Sequence, residues 1–209
     1  MIKIIKKPVA PIDANSYTVI DTENKKCLLI DFGADFSRLM KSCDDLGLTV
    51  CGAILTHGHF DHIGAADDVK RAFPQSQIVI MKEDEDICRN PSLVGGDNVT
   101  ADPDMLVSDG DVIKVAELSF KYMATPGHTK GSAIIICGDC IFSGDTLMSR
   151  TCGRTDLYGG STKEIRASLK KIGALEGDYK IYPGHGPETN MAVERYANPY
   201  LRKAMGLGI

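Results

Sequence analysis

Histidine is rare in this chain of 209 residues, and each histidine lies in a short stretch that also contains glycine. His57, His59 and His62 lie in THGHFDH, His128 lies in TPGHTKGS, and His185 lies in YPGHGPE. A lone histidine is usually a hydrogen-bonded surface or core residue, but all five in such stretches favour a shared role. Because imidazole is the commonest metal ligand in proteins, the pattern predicts a metal site.

The spacing within THGHFDH suits metal binding. In an extended backbone, side chains two positions apart point the same way, so His57 and His59 can reach one ion. The neighbours Asp61 and His62 would point to opposite sides, and a turn into a following helix would let both serve a second ion. Glycines at positions 58, 127, 184 and 186 lack a Cβ, so backbone segments can approach closely there.

Asp145, in IFSGDTL, is a candidate anionic ligand, although on its own it reads more readily as a turn aspartate. With it, the candidate ligands are His57, His59, Asp61, His62, His128, Asp145 and His185. A structural zinc takes four protein ligands and a catalytic zinc three plus water, so this set suits two ions with Asp145 between them. Paired ions are typical of hydrolytic sites, and imidazole and carboxylate without thiolate suit zinc, iron or manganese.

The elements that must position these residues are mostly short strands with a few amphipathic helices. Strands are predicted at residues 2–5, 16–21, 27–31, 50–55, 77–81, 112–115, 118–124, 132–137, 140–143 and 180–182. Helices are predicted at residues 36–46, 65–73, 161–172 and 188–198. Ser161 and Glu164 form a capping box, Pro199 should end the last helix, and residues 91–109 show no period and read as a long loop.

This order of elements gives two similar halves, each with a sheet and helices. It predicts an α/β fold, an αββα sandwich of two packed sheets with helices outside. Each histidine stretch follows a predicted strand, so the three stretches should meet at one edge of the sheets. The Gly-Asp pair within CGDC should form a two-residue hairpin turn, with Cys137 and Cys140 as flanking strand residues.

Composition narrows the protein class. The length predicts one domain over residues 1–209, and a net charge of −4 gives no reason to expect nucleic acid or a membrane as partner. The first ten residues lack the apolar segment of a signal peptide, and the longest apolar run covers only residues 133–137. Seven scattered cysteines suggest reduced thiols in a cytoplasmic protein, and the oligomeric state is left open.

Four motifs together, THGHFDH, TPGHT, SGDTL and PGHG, resemble the metallo-β-lactamase superfamily, and within it the glyoxalase II-like hydrolases. The resemblance covers residues 15–185 and implies the αββα fold of that family. It also implies site one from His57, His59 and His128, site two from Asp61, His62 and His185, and Asp145 as the bridge. Asp31, in LLIDFG, matches a family aspartate that supports the metal-site loop, although it also reads as a strand-end turn residue.

The resemblance implies a metal-dependent hydrolase with two divalent ions, zinc in the first place and iron or manganese as alternatives. A hydroxide between the ions would attack the acyl carbon of a small thioester or ester, such as a hydroxyacylglutathione. Asp61 would be a ligand and would also orient the hydroxide. Full-length glyoxalase II enzymes carry a C-terminal helical domain with glutathione-binding residues, whereas only 24 residues follow His185 here. We therefore expect no separate substrate domain, and glutathione recognition is not carried over.

Other functions compete with this one. A persulfide dioxygenase-like oxidoreductase would use His57, His59 and His128 on a single iron, and such relatives share a CGRTD-like stretch. A lactone hydrolase or β-lactamase is a lesser alternative, and a non-enzymatic domain whose metals only hold the fold is another.

The stretch TCGRTDLYGGS contains two candidate substrate-binding residues, Arg154 and Tyr158. Arg154 could bind a substrate carboxylate in a bidentate manner. It could also pair with Asp156, and this structural role is slightly favoured. Tyr158 could line the pocket or only pack against its surroundings.

Overall fold

The computed structural model describes residues 2–9, 12–96 and 99–208 and contains two six-stranded sheets that pack face to face. The first sheet runs in chain order: β1 (Ile2–Val9), β2 (Ala14–Asp21), β3 (Lys26–Ile30), β4 (Thr49–Ile54), β5 (Ile78–Met81) and β6 (Met105–Val107). The second runs from β7 to β12: β7 (Val112–Val115), β8 (Leu118–Ala124), β9 (Ala133–Cys137), β10 (Cys140–Gly144), β11 (Lys180–Pro183) and β12 (Thr189–Asn190). The predicted α/β class and αββα sandwich are confirmed.

Seven α-helices accompany the sheets in the described part of the chain. They are α1 (Phe36–Asp45), α2 (Phe60–Ile63), α3 (Ala66–Ala72), α4 (Glu85–Arg89), α5 (Thr162–Gly173), α6 (Met191–Ala197) and α7 (Pro199–Ala204). Two short 3-10 turns, Lys82–Asp84 and Pro91–Val94, flank α4. None of the helices in the described residues is both long and apolar enough to cross a membrane.

Alternation along the strands divides the apolar residues among three core layers. In β3, Leu28 and Ile30 face the second sheet, whereas Cys27 and Leu29 pack against α1. Ile134 in β9 points away from the first sheet, into the layer under α5. Because such strands are buried on both faces, they read in sequence as continuous apolar runs.

One sequence prediction about the elements is wrong. Residues 91–109 are not one long loop: they contain the turn Pro91–Val94 and strand β6, which pairs in parallel with β5. A strand of three residues is too short to show a period, and pairing with a neighbour stabilises it.

The predicted last helix does end before Pro199, but a further helix, which the sequence did not predict, follows it directly. Asn198 ends α6 and caps α7, accepting hydrogen bonds from the backbone N–H groups of Tyr200 and Leu201. Pro199 takes the first position of the new helix, where a missing N–H costs nothing.

Two local predictions hold. The Ser161 hydroxyl accepts a hydrogen bond from the N–H of Glu164 at 3.3 Å and begins α5. The reciprocal half of the capping box is absent, because the Ser161 N–H donates to the carbonyl of Gly127 instead. Cys137 and Cys140 face each other across the predicted hairpin turn.

Candidate metal centre

All the predicted ligands lie at one edge of the sandwich, where strands from both sheets end. THGHFDH follows β4, and TPGHT, SGD and PGHG follow β8, β10 and β11. Backbone hydrogen bonds join the two sheets there: Ala133 N–H donates to the Thr56 carbonyl at 2.9 Å, and Asn15 N–H donates to the Gly184 carbonyl at 2.6 Å. The loops of the two halves are therefore held against each other.

We call His57, His59 and His128 the first ligand group. One ring nitrogen of each lies within 4.8 Å of the others, and all three side chains are buried. The ring centroids of His59 and His128 are 4.5 Å apart, although the residues come from different sheets. The structure thus brings together the three residues that the sequence assigned to one ion.

We call Asp61, His62 and His185 the second ligand group, whose ligand atoms also lie within 4.8 Å of one another. Asp61 and His62 belong to the short helix α2, and this supplies the turn that their adjacency required. Asp61 Oδ2 lies 3.1 Å from His185 Nε2 and 3.4 Å from His62 Nε2.

Asp145 lies between the two groups. Its Oδ2 is 3.5 Å from Nε2 of His128, in the first group, and 3.6 Å from Nε2 of His185, in the second. Its Oδ1 is 3.7 Å from Nε2 of His62. A carboxylate in this position can offer an oxygen to an ion on each side.

Unpartnered polar atoms test whether these residues fit metal ions. Among the described side chains, five buried atoms lack a hydrogen-bond partner: Nε2 of His57, His59, His62 and His128, and Oδ1 of Asp145. Each such buried atom costs about 1–3 kcal/mol, so five in one site would be strongly destabilising without a ligand. Cations satisfy all of them at once. The donor set therefore fits the divalent metal ions that the fold and the ligand groups imply.

In three of the histidine rings, the hydrogen bond at Nδ1 determines that Nε2 is the nitrogen available to a metal ion. His62 Nδ1 lies 2.9 Å from Asp31 Oδ2, and His128 Nδ1 lies 2.8 Å from the Arg154 carbonyl. Because ionised carboxylates and carbonyls only accept hydrogen bonds, both Nδ1 atoms carry a proton, and Nε2 is the nitrogen of each ring that faces the site.

Asp31 also supports the third ring. The Thr56 hydroxyl donates to Asp31 Oδ2 at 2.8 Å and lies 3.1 Å from His57 Nδ1, from which it can accept. The Thr56 N–H donates to Asp31 Oδ1 at 2.8 Å. Asp31 therefore holds His62 directly and His57 through Thr56, which is the position that the predicted supporting role requires.

Charge differs between the groups. Burial lowers the pKa of His59 to about 3 and that of His57 well below its ordinary value, so both imidazoles are neutral and able to bind metal. Burial also acts to lower the pKa of His62, but the carboxylates of Asp61 and Asp31 outweigh it and raise that pKa to about 10. A divalent cation would take the place of this proton.

The predicted close approaches are found at three of the four glycines. A Cβ on Gly184 would lie 2.1 Å from Asp145 Oδ1, one on Gly127 would meet the backbone of Ile165 at 2.1 Å, and one on Gly58 would meet Ile87 at 2.7 Å. Gly186 is different: nothing lies near, and its φ of 75° is what favours glycine there.

The two candidate substrate residues lie further out. The Arg154 guanidinium forms two 2.7 Å hydrogen bonds with Asp156, the structural pairing weighed from the sequence. The Tyr158 hydroxyl donates to Asp86 Oδ2 at 3.1 Å, and Lys130 Nζ lies 5.6 Å from the Tyr158 ring centre.

A cleft of about 370 Å³ opens over the ligand groups. Its lining comprises Ile12, His59, Phe60, Asp61, Val94, His128, Asp145, Met148, Gly153, Arg154, Leu157 and His185. Arg154 therefore borders the cleft, and Tyr158 is not in the lining.

Sequence reasoning missed several residues that hold the site. Asn15 Nδ2 donates to the carbonyls of Pro183 and Gly186, both at 2.9 Å, and so fixes the loop that carries His185. Thr56 is part of THGHFDH itself, and a hydroxyl beside a ligand histidine was a usable signal. Asn15 had none, because its partners are about 170 positions away in the chain.

Comparison with known proteins shows the family to which the chain belongs. The chain belongs to the metallo-beta-lactamase superfamily, whose family model matches residues 10–185. A probable metallo-hydrolase of Bacillus subtilis, YqgX, is 33% identical to it over 94% of this chain and 96% of its own length. The hydroxyacylglutathione hydrolase GloC of Haemophilus influenzae is 31% identical over 93% of this chain and 95% of its own.

Solved structures show the same fold. The BLEG-1 B3 metallo-beta-lactamase matches with a TM-score of 0.89 and 31% identity, over 95% of this chain and 99% of that one. ETHE1 from Myxococcus xanthus matches with a TM-score of 0.81 and 26% identity, over 99% and 92%. TTHA1623 in a di-iron-bound form matches with a TM-score of 0.76 and 28% identity, over 94% and 99%.

Proposed function

We propose that this metallo-hydrolase superfamily member is a two-metal hydrolase of small thioesters or esters, with hydroxyacylglutathione-type thioesters as the first candidates. The observation that carries the proposal is the pair of ligand groups with Asp145 between them and five unpartnered ligand atoms facing the site. The similarity to GloC, named as a hydroxyacylglutathione hydrolase, supports the thioester class.

Each ligand residue has a distinct role in the proposed reaction. His57, His59 and His128 would hold one ion, and Asp61, His62 and His185 the other, with Asp145 shared. When bound, the two ions would lower the pKa of water towards 7 and polarise the acyl oxygen. Asp61 borders the cleft and can accept a hydrogen bond from the attacking water, orienting it towards the acyl carbon. His62 keeps its Nε2 facing the site because Asp31 holds its Nδ1–H.

The cleft wall suits a compact substrate with an apolar part. Ile12, Phe60, Val94, Met148 and Leu157 line it and would exclude water around the scissile bond. Arg154 is the one cationic arginine or lysine side chain among the described lining residues, and Asp156 already occupies its guanidinium. We therefore expect the acyl and thioester part of the substrate to supply most of the binding, and carboxylates of a glutathione moiety to add little.

A second candidate is the persulfide dioxygenase-like oxidoreductase with one iron. The similarity to ETHE1 favours keeping it, and so does the first ligand group, which alone supplies three histidines to a single ion. In that case the second group would carry no ion, and the reaction would consume oxygen.

One experiment separates the candidates. Metal would be quantified on protein purified without added metal, and the same sample assayed for hydrolysis of a hydroxyacylglutathione, a simple thioester, a lactone and a β-lactam. Two ions per chain with thioester hydrolysis is the expected result. One iron per chain with persulfide-dependent oxygen uptake would overturn the hydrolase proposal, and two ions without turnover of any of these substrates would favour the non-enzymatic alternative.

The identity of the metal belongs to the same proposal. Zinc is our first expectation, and the similarity to a di-iron-bound structure keeps iron as its main alternative. The single domain over residues 1–209, the cytoplasmic location and the absence of a nucleic-acid or membrane partner stay predictions from composition.

A further inference from the structure

Asp84 is a buried acid outside the ligand set. It ends the turn Lys82–Asp84 and is 1% exposed, whereas its neighbours Lys82, Glu83 and Asp86 are exposed. A buried carboxylate requires several hydrogen-bond donors to offset its desolvation. Asp84 obtains these donors from the two loops that carry the first ligand group.

Both oxygens of Asp84 are engaged. Oδ2 accepts from the Gly58 N–H at 3.0 Å and from the Thr129 hydroxyl at 2.7 Å. Oδ1 accepts from the Gly131 N–H at 2.6 Å. Gly58 lies between the ligands His57 and His59 in the first half of the chain, and Thr129 directly follows the ligand His128 in the second. The carboxylate thus joins the two loops across the sandwich.

The space around Asp84 is shaped for this contact. A Cβ on Gly131 would lie 2.6 Å from the Asp84 side chain, so only glycine lets its N–H reach Oδ1. A Cβ on Gly58 would meet Ile87 and Cys88 of α4, the helix that follows Asp84. Two glycines at these positions allow both loops to close on one carboxylate.

The second ligand group has other supports. Asp31 holds His62, and Asn15 holds the loop of His185. Within the described part of the chain, no hydrogen bond or ion pair links Asp84 to Asp61, His62 or His185. The connection of Asp84 is therefore to the first group alone.

We propose that Asp84 is a positioning residue for the first metal ion, which fixes His59 and His128 at the separation that one ion requires. The inference rests on the proposed two-metal site but not on the identity of the substrate. Loss of the Asp84 carboxylate should weaken metal binding by the first group and leave metal binding by the second group nearly unchanged.

The test is a metal titration of metal-free protein, with Zn²⁺ in competition with a chromophoric chelator. In Asp84→Asn we expect one of the two ions to bind about 10–100 times more weakly, the loss typical of outer-shell substitutions. The affinity for the other ion should change by less than about threefold. Thr129→Val, which removes one of the three donors without removing the carboxylate, should give a smaller loss for the same ion.

Two controls separate positioning from general destabilisation. Asp104 also accepts hydrogen bonds from a backbone N–H, that of Ile78, and from a side chain, that of Lys70. Neither partner is on a ligand loop, so Asp104→Asn should change neither metal affinity. In a His59→Ala background, where the first group is already broken, adding Asp84→Asn should cause no further loss of metal affinity.

Equal weakening of both ions in Asp84→Asn, or no weakening, would overturn the proposal, and so would an additive loss in the His59→Ala background. These readouts are binding constants and do not require turnover. A failure of the thioesterase proposal would appear in the substrate assays instead, so the two failures can be told apart.

Discussion

The two ligand groups take their residues from the same parts of the fold and differ in the charge of their ligands. Each takes two residues from the stretch after β4 and one from a loop of the second sheet. The first group consists of three buried imidazoles and has no carboxylate of its own. The second combines a carboxylate with two histidines, of which His185 is 26% exposed. Both groups therefore depend on the relative position of the two halves of the fold, and the second also attracts a cation through the charge of Asp61.

Supporting residues join the two halves in both groups. In the first group, Asp84 joins the His59 and His128 loops across the sandwich, and the Arg154 carbonyl holds His128 within the second half. In the second group, Asn15 and Tyr17 of β2 both donate to the Pro183 carbonyl just before His185, and Asp31 serves both groups. Each group thus has a hydrogen-bonded tie between the two sheets.

The largest expected effect comes from breaking the first group itself. His59→Ala should remove one ion per chain and reduce thioesterase kcat/KM by at least roughly 1000-fold, because a two-ion clamp cannot work with one ion. Metal quantification and the hydrolysis assay check both parts. Retention of two ions and full activity would refute the ligand assignment on which the comparison depends.

Removal of both ions measures how much the groups rely on metal together. Metal-free protein leaves five buried atoms unpartnered. If the free metal concentration is about 1000 times the Kd of each site, each ion contributes about 4 kcal/mol, so the loss of both should lower Tm by about 16–32 °C for a chain of this size. Thermal unfolding with and without a chelator gives the value. An unchanged Tm would mean that the groups do not bind metal.

The free energy of unfolding should depend on pH through Asp84, which supports the first group. Burial raises the pKa of Asp84 to about 6 from an ordinary value of 3.8. The folded state therefore binds this proton more tightly than the unfolded state. The contribution of protonated Asp84 to the free energy of unfolding is fully present below pH 4. It falls by at most about 3 kcal/mol as pH rises through 6.

Asp84→Asn should lack this fall. The check is chemical denaturation of metal-free wild type and variant between pH 4 and pH 7. The same pH slope in both proteins would show that Asp84 does not titrate in this range.

Asp31 supports both groups, so its substitution should affect the metal affinity of both. Asp31→Asn would turn an amide N–H towards either Thr56 or His62, which both donate to Asp31. Both ions should then bind more weakly, by about 10–100-fold, in contrast to the one-ion effect expected at Asp84. The chelator titration distinguishes the patterns, and an effect confined to one ion would assign Asp31 to that group alone.

Arg154→Ala should have the smallest effect. The Arg154 side chain is exposed and bound to Asp156, and the contact to His128 comes from its backbone carbonyl, which alanine retains. We expect less than about a threefold change in KM for thioesters, in line with the small worth of exposed ion pairs. A rise in KM of tenfold or more, limited to substrates with a carboxylate, would instead make Arg154 a substrate-binding residue.

Particular residues show how far sequence reasoning could reach. The strands were readable because β3 and β9 are continuous apolar runs, and the ligands because histidine and glycine recur together after strands. Strand β6 and helix α4 were not readable, because elements of three and five residues show no period. The substrate residues stayed ambiguous: only the structure shows Arg154 occupied by Asp156 and Tyr158 outside the cleft lining.

By itself, the sequence determined the chemistry available: which side chains could bind metal, that they follow strands, and that the strands form two sheets. Such properties are local, since periodicity and residue type act over a few positions. Only the tertiary structure decided that Asn15 holds the His185 loop, and that Asp84 joins two loops that lie 26 positions before it and 45 positions after it in the chain. Asp84 sits in the charged run KEDED, and its exposed neighbours are of the same residue types. Burial between two packed halves, which no short stretch encodes, is what separates it from them.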